Sequence, residues 1–306
     1  MKRRDPAYDA AAGASSGAGR ATPGTAIVGP PGRPSDATGA VVVKLGGRSL
    51  EAPGALRELA TELADLPGAA VLVHGGGPEV SAWCGRLGIE PRFDDGLRVT
   101  DAATLEVAAA VLGGLANKRL VAGLRAGGID AFGIAALDGG VVEVRPHART
   151  ARLGLVGEPA GVDAARLRAW LGAGQVPVIA SIGAYEGALL NLNADDVAAA
   201  IAAALEARAL VLLSDTPGVK LGGGVVPALD LAGAQRALGG GDVAGGMRPK
   251  LRAAREAVAA GAAVAWIAAW QGPGTLTALL DAAPEAGTTV LPAAQASSAA
   301  GGAARV

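Results

Sequence analysis

Short, continuously apolar runs alternate along the chain with longer stretches in which apolar residues recur every three or four positions. Residues 40–45, 69–73, 176–180, 210–213, 263–267 and 288–291 are too short for amphipathic helices and read as buried strands. Residues 55–66, 162–171, the alanine-rich stretch to about 207 and the stretch after Met247 read as helices. Leu105, Ala109, Leu112, Ala116, Leu120 and Leu124 form the stripe of a long helix that Thr100 or Asp101 can cap and that Gly127-Gly128 ends. Two strand-like runs, 131–135 and 141–144, flank Asp138-Gly139-Gly140 and read as a hairpin. Buried strands separated by helices imply a mainly parallel sheet covered on both faces, an α/β three-layer αβα sandwich.

Several strand ends carry glycine and polar residues, where open α/β sheets bind ligands. After residues 69–73 come His74-Gly75-Gly76-Gly77-Pro78: a strand end, a turn without side chains, and a helix begun by proline, which fits the first helical position. Bare backbone at a helix N-terminus suits a phosphoryl group. Lys44-Leu45-Gly46-Gly47 ends the first strand; a lone lysine there often just snorkels to solvent, but the adjacent glycines let a phosphate approach it. Arg98 precedes the Thr100/Asp101 cap, in a loop, where its five-donor fork can take a carboxylate or simply stay solvated.

Asn191 and Asn193 alternate on a strand-like approach to a helix that Asn193 can cap. One of Asp195 and Asp196 suffices to complement that helix's dipole, which leaves the other for chemistry. The loop from Ser214-Asp215 through Gly218 follows a strong strand, as a nucleotide-holding loop would. The glycine stretch 239–246, with Gly245 and Gly246, leads through Met247 into a helix whose first turn holds Lys250, a cation that opposes the dipole unless it meets an anion. His74 reads as a hydrogen-bonded structural residue.

Composition removes other classes. A net charge of −1 with dispersed basic residues argues against nucleic-acid binding, and a single cysteine, Cys84, gives no disulfide framework and suits a reducing compartment such as the cytoplasm. The hydrophobic fraction is 51% but aromatics are 3%, so small aliphatic side chains must fill the core. Residues 197–213 are interrupted by Glu206 and Arg208, and 257–270 are too few to span a bilayer, so no membrane partner is expected. Residues 1–38 and 294–306 are expected to be disordered tails around one domain, 39–293. There is no G-x-x-x-x-G-K-[ST], no complete dinucleotide fingerprint and no G-x-S-x-G, and two histidines with one cysteine make no ordinary zinc site. Two lysines beside glycines, an arginine and paired asparagines suit phosphoryl transfer; an already ionised carboxylate acceptor would need no general base.

These residues resemble the acetylglutamate kinases of the amino acid kinase family. The matching segments are Lys44 to Gly47, His74 to Pro78, Gly96 to Thr100, Asn117-Lys118, Asn191 to Asp195, Ser214-Asp215, and Gly245-Gly246-Met247 with Lys250, within about residues 40–292. The resemblance implies ATP-dependent phosphorylation of the side-chain carboxylate of N-acetyl-L-glutamate, in arginine biosynthesis. It implies that Lys44 and Lys250 contact the transferring phosphoryl and Asp195 orients them. Gly46, Gly47, Gly75 and Gly76 would hold phosphoryl oxygens, and Arg98 and Asn191 would read the α-carboxylate, with Asn193 beside them on the substrate side. Ser214, Asp215, Gly218, Gly245, Gly246 and Met247 would hold ATP, with Mg2+ bridged by phosphates and no protein metal ligand. The N-terminal half of the domain would bind the acyl substrate and the C-terminal half ATP.

Residues 1–38 lack the apolar stripe of the N-terminal helix used by arginine-inhibited hexamers, and Ala268-Ala269-Trp270-Gln271 resembles dimeric members, so a homodimer is expected. Residues 145–153, with Arg145, Arg149 and Arg152, match nothing in the family pattern. Two other readings stay open: a sister kinase for carrier-bound aminoadipate, glutamate or aspartate, and a non-catalytic arginine-sensing domain. Retention of Lys44, Asp195 and Lys250 argues against the second.

Overall fold

The computed structural model describes residues 39–46, 54–66, 68–283 and 287–292; both expected tails and Gly47 lie outside the described residues. Eight strands form the central sheet: β1 (Val41–Leu45), β2 (Ala70–His74), β5 (Ala131–Ala135), β8 (Val176–Ala180), β11 (Ala209–Ser214), β14 (Ala228–Asp230), β15 (Ala265–Ala269) and β16 (Thr288–Leu291). Their spatial order is β14-β16-β15-β11-β1-β2-β8-β5, parallel throughout except between β15 and β16. A second sheet joins β6 (Val142–Pro146), β7 (Val156–Val162), β10 (Ala188–Leu192) and β9 (Ile182–Tyr185), in that order. Short pairs are made by β3 (Arg92–Asp94) with β4 (Leu97–Val99), and by β12 (Lys220–Leu221) with β13 (Gly224–Val225).

The helices are α1 (Ala55–Asp65), α2 (Gly77–Arg86), α3 (Ala102–Ala108), α4 (Asn117–Ala126), α5 (Thr150–Leu153), α6 (Ala164–Gly172), α7 (Ala194–Ala204), α8 (Leu231–Gly239), α9 (Met247–Ala259) and α10 (Thr275–Leu280). A π-helical stretch, Ala109–Ala116, joins α3 to α4. The resulting helix, Ala102–Ala126, is long and apolar enough to cross a membrane by length and composition, a property that the sequence reading passed over; its inner face packs on α1, β5 and β8.

Strand alternation decides which residues meet which layer. Val41, Val43 and Leu45 of β1 join Leu59, Leu63, Leu124, Leu276 and Leu279 in the core under α1, α4 and α10. Val42 joins Val71, Leu210, Leu212, Val197, Ile201, Leu251 and Ala254 under α7 and α9. Lys44 shares Val42's parity, so its side chain leaves the strand end toward α7. His74 shares the parity of Ala70 and Leu72, and so faces the opposite layer.

Three expectations needed correction. The hairpin about residues 138–140 is not formed: β5 spends its hydrogen bonds on β8, and a 3-10 turn with Gly139 at φ 63° and Gly140 at φ 69° sends β6 into the other sheet. Arg98 stands on β4, not in a loop, because Asp95 (φ 49°) and Gly96 (φ 81°) close a two-residue hairpin turn with β3. Val162 ends β7; α6 starts only at Ala164, where the Asp163 side chain accepts from Arg166 N.

Candidate active site

The carboxyl ends of β1 and β2 face the N-termini of α2, α7 and α9 across a cavity of about 240 Å³. Lys44, Gly46, Gly75, Gly76, Arg98, Asn191, Asn193, Asp195 and Lys250 all line it, which brings residues from opposite ends of the chain together. Asp195 lies between two ammonium groups: Lys44 Nζ is 2.7 Å from Oδ1, and Lys250 Nζ donates to Oδ2 at 3.2 Å. Burial works against charge on Asp195, yet the two ammonium groups outweigh it and hold the carboxyl below its ordinary range. Burial, with repulsion from Lys250, lowers the Lys44 pKa against the pull of Asp195. One carboxylate shared by two lysines leaves a net positive charge facing the cavity.

Backbone completes this anion site. α2, with Gly76 at its N-cap, has no side-chain cap, so its first N–H groups remain available, whereas at α9 Met247 N and Arg248 N already donate to Ala244 O and Gly245 O and Pro249 has no N–H. At Gly76 a Cβ would come within 2.7 Å of Leu112 Cδ2, and at Gly46 within 2.4 Å of Lys44 Nζ. At Gly46 the backbone Leu213 O, 2.7 Å from that Cβ, makes glycine a requirement, whereas at Gly76 the Leu112 methyl ends a side chain that can shift.

Arg98 is buried, 9% exposed, and held in place from three sides. Its Nη2 donates to Gly77 O and to Ser81 Oγ, each at 2.7 Å, and its guanidinium stands 4.8 Å from the Phe93 ring centroid. Nη1 is buried without a hydrogen-bond partner, as a group awaiting an acceptor would be. Asn191 donates through Nδ2 to Thr100 Oγ1 at 3.1 Å. Asn193 is occupied as the N-cap of α7, where its Oδ1 accepts from the backbone N–H of Asp195 and Asp196. Asp196 turns away from the cavity onto Arg252, which donates to both of its oxygens at 2.9 and 2.8 Å.

The residues expected on the nucleotide side are not among the cavity's lining. Ser214 ends β11 with its Oγ 3.3 Å from Thr216 Oγ1, Asp215 follows on the surface, and Gly245 and Gly246 lie open before α9. Met247 packs against the core beneath α9. At Gly218 a Cβ would meet Thr288 Oγ1 at 2.6 Å, so packing on β16 already demands glycine there. His74 is scaffold: Nδ1 contacts Gly75 O at 2.9 Å, Nε2 contacts Asn117 Nδ2 at 3.1 Å, and burial lowers its pKa to about 4. Among the described residues no group of three His, Cys, Asp or Glu could hold a metal ion.

Ser81, Phe93 and Thr100, which fix Arg98 and Asn191, were not singled out for those roles from sequence. Ser81 had a signal: it follows Gly77 by four residues on α2 and so shares its face.

Comparison with known proteins shows the family. Residues 39–269 match the model of the amino acid kinase family. The acetylglutamate kinase of Chloroflexus aurantiacus (strain J-10-fl) is 43% identical over 224 residues, 72% of this chain and 88% of that protein. That of Methanopyrus kandleri is 44% identical over 230 residues, 72% of this chain and 91% of that protein. Among solved structures, N-acetylglutamate synthase from Neisseria gonorrhoeae complexed with coenzyme A and N-acetyl-glutamate is 26% identical with a TM-score of 0.72, over 83% of this chain and 59% of that one. The chain belongs to the amino acid kinase family, alongside the acetylglutamate kinases.

Proposed function

We propose that the chain uses ATP to phosphorylate the side-chain carboxylate of N-acetyl-L-glutamate, giving an acyl phosphate for arginine biosynthesis. Membership of a kinase family makes ATP the phosphoryl donor. The observation that carries the reading is a single cavity holding both the Lys44–Asp195–Lys250 cluster and the unpaired Nη1 of Arg98. Lys44 and Lys250 neutralise charge on the phosphoryl group in flight, while N–H groups at Gly75 and Gly76 hold its oxygens. Asp195 aims both ammonium groups. Arg98 and Asn191 hold the acid's α-carboxylate, which places the side-chain carboxylate for attack; that oxygen is ionised near neutral pH, so no base is required.

The cavity's charges favour the acetylated acid. Asp195 is the one carboxylate among the described lining residues, and two lysines already engage it. A free α-ammonium would find no anionic partner, whereas an acetamido group can rest against Val80, Leu97, Ala108, Leu112 and Val156. The same occupied Asp195 disfavours an arginine-sensing role.

The open Gly245-Gly246 loop before α9 suits the phosphates of ATP, and Ser214 and Asp215 extend that side. Magnesium, held by phosphate oxygens and water, would add positive charge to the transferring group. We further propose that residues 39–293 act as one kinase domain and that the protein is a cytoplasmic homodimer. The half-exposed outer face of Ala102–Ala126, including Leu115 at 42%, supports an apolar contact between copies.

Trapping the acyl phosphate with hydroxylamine, while offering N-acetylglutamate, glutamate and aspartate separately with MgATP, tests the reading. Hydroxamate is expected from the acetylated acid. Hydroxamate from free glutamate or aspartate alone would transfer the assignment to a sister kinase, and none from any acid would favour the sensing domain.

A further inference from the structure

His147 and Arg149 of the unplaced segment 145–153 line a further cavity of about 490 Å³ together with Arg248, Arg252 and Arg255 of α9. We propose that this cleft is a binding site for a compact polyanion, a small molecule carrying several phosphate or carboxylate charges.

Helix geometry separates the two sites. Arg248, Arg252 and Arg255 stand at i, i+4 and i+7 and share one face, whereas Lys250 is two positions from both Arg248 and Arg252 and points oppositely, into the Asp195 cavity. Like charges at i,i+4 repel and need compensation. Arg252 receives it from Asp196. Arg248 and Arg255 have no ion-pair partner among the described residues, and the Nε atoms of Arg252 and Arg255 are buried without an acceptor. Two carboxylates line the cleft, Asp95 and Glu256; both are more than half exposed and each already lies near an arginine, Asp95 3.8 Å from Arg149 and Glu256 4.0 Å from Arg252. Arg149 is thus matched by Asp94 and Asp95, and Arg252 by Asp196 and Glu256, so the cations left without an ion-pair partner among the described residues are Arg248 and Arg255.

Guanidinium forks match the paired oxygens of phosphates and carboxylates, and a dianion or trianion would satisfy the buried Nε donors and the unpaired charges together. The cleft's walls also tie the sites mechanically. Arg149 holds Asp94 on β3, and Leu97 of β4 lines both cavities, one residue before the carboxylate-reading Arg98. An anion here would brace the β3–β4 hairpin against α9. The inference stands whichever acid is phosphorylated.

Calorimetric titration of the full chain with sodium pyrophosphate, and separately with citrate, at constant ionic strength and without magnesium, tests it. The comparison includes Arg248→Gln/Arg255→Gln, the single variant Arg255→Gln should the double variant fail to fold, and Lys44→Ala/Lys250→Ala. Saturable binding is expected in the wild type and in the lysine variant, weakened at least about tenfold by the arginine changes, with basal turnover of the arginine variants unchanged. Whichever probe binds in this way identifies phosphate or carboxylate as the recognised group. Binding that survives the arginine changes but vanishes in the lysine variant would assign the anion to the phosphoryl site and overturn the proposal, as would no saturable binding of either probe.

Discussion

Asp195 and Asp196 stand in the same turn of α7, and each meets cations from α9, yet their surroundings differ in stoichiometry. On the side facing β1, Asp195 is shared by Lys44 and Lys250, is 4% exposed, and stays ionised below its ordinary range. On the side facing β7, Asp196 has Arg252 as its ion-pair partner, and burial pushes its pKa up to about 6 against that attraction. An ion pair alone therefore says little about function. A surplus of positive charge, aimed into a cavity beside the uncapped N-terminus of α2, is what distinguishes the lysine side and supports the phosphoryl site proposed there.

The largest expected effect comes from breaking the lysine side. Asp195→Asn should lower kcat by roughly 10³-fold, because both ammonium groups lose their orienting anion. It should also cost about 3 kcal/mol of stability, since two buried cations then share no counter-charge. Steady-state kinetics and thermal unfolding measure the two, and a kcat close to wild type would erase the contrast between the neighbouring acids.

An intermediate effect is expected at Ser81, which touches Arg98 rather than substrate. Ser81→Ala should raise KM for the acid about tenfold, the size of one charge-assisted hydrogen bond, with a much smaller change in kcat. A fall in kcat at unchanged KM would place Ser81 in the chemical step instead of in the positioning of Arg98.

The smallest kinetic effect is expected at Asp196→Asn, where kcat should stay within about twofold. Its signature is a pH slope. The folded carboxyl titrates near 6 and the ordinary value is 3.8, so its contribution to stability is fully present below 3.8 and is lost as pH rises through 6. Between pH 4 and 7 the stability difference should therefore move in favour of the Asn variant, by on the order of 2 kcal/mol. Parallel pH profiles of unfolding for the two proteins would contradict this.

Much of the central sheet was legible because its strands are buried on both faces and read as continuous apolar runs. The second sheet was not. In β7 glycines and a proline interrupt the pattern, and Gly157 is required because a Cβ would lie 2.7 Å from Val144 Cγ1, a packing demand invisible in one dimension. The proposed anion site was legible as a cluster, since glycine and lysine at strand and helix ends are brought to one cavity. The parity that sends Lys44 toward α7 and His74 toward Asn117 was implicit in the alternation, although only the sheet order shows which layer holds Asp195. What could not be read was long-range partnering: Ser81 and Phe93 on Arg98, and the meeting of Arg149 with α9, depend on side-chain packing between distant segments.

The central claim is that Lys250, paired to Asp195 from the first turn of α9, stabilises the phosphoryl group in flight. Kinetics of acyl phosphate formation by Lys250→Ala, with N-acetylglutamate and MgATP varied to saturation, test it most directly. The predicted result is a kcat lowered by about 10²-fold or more with KM changed only a few-fold; an unchanged kcat would remove this lysine from the mechanism.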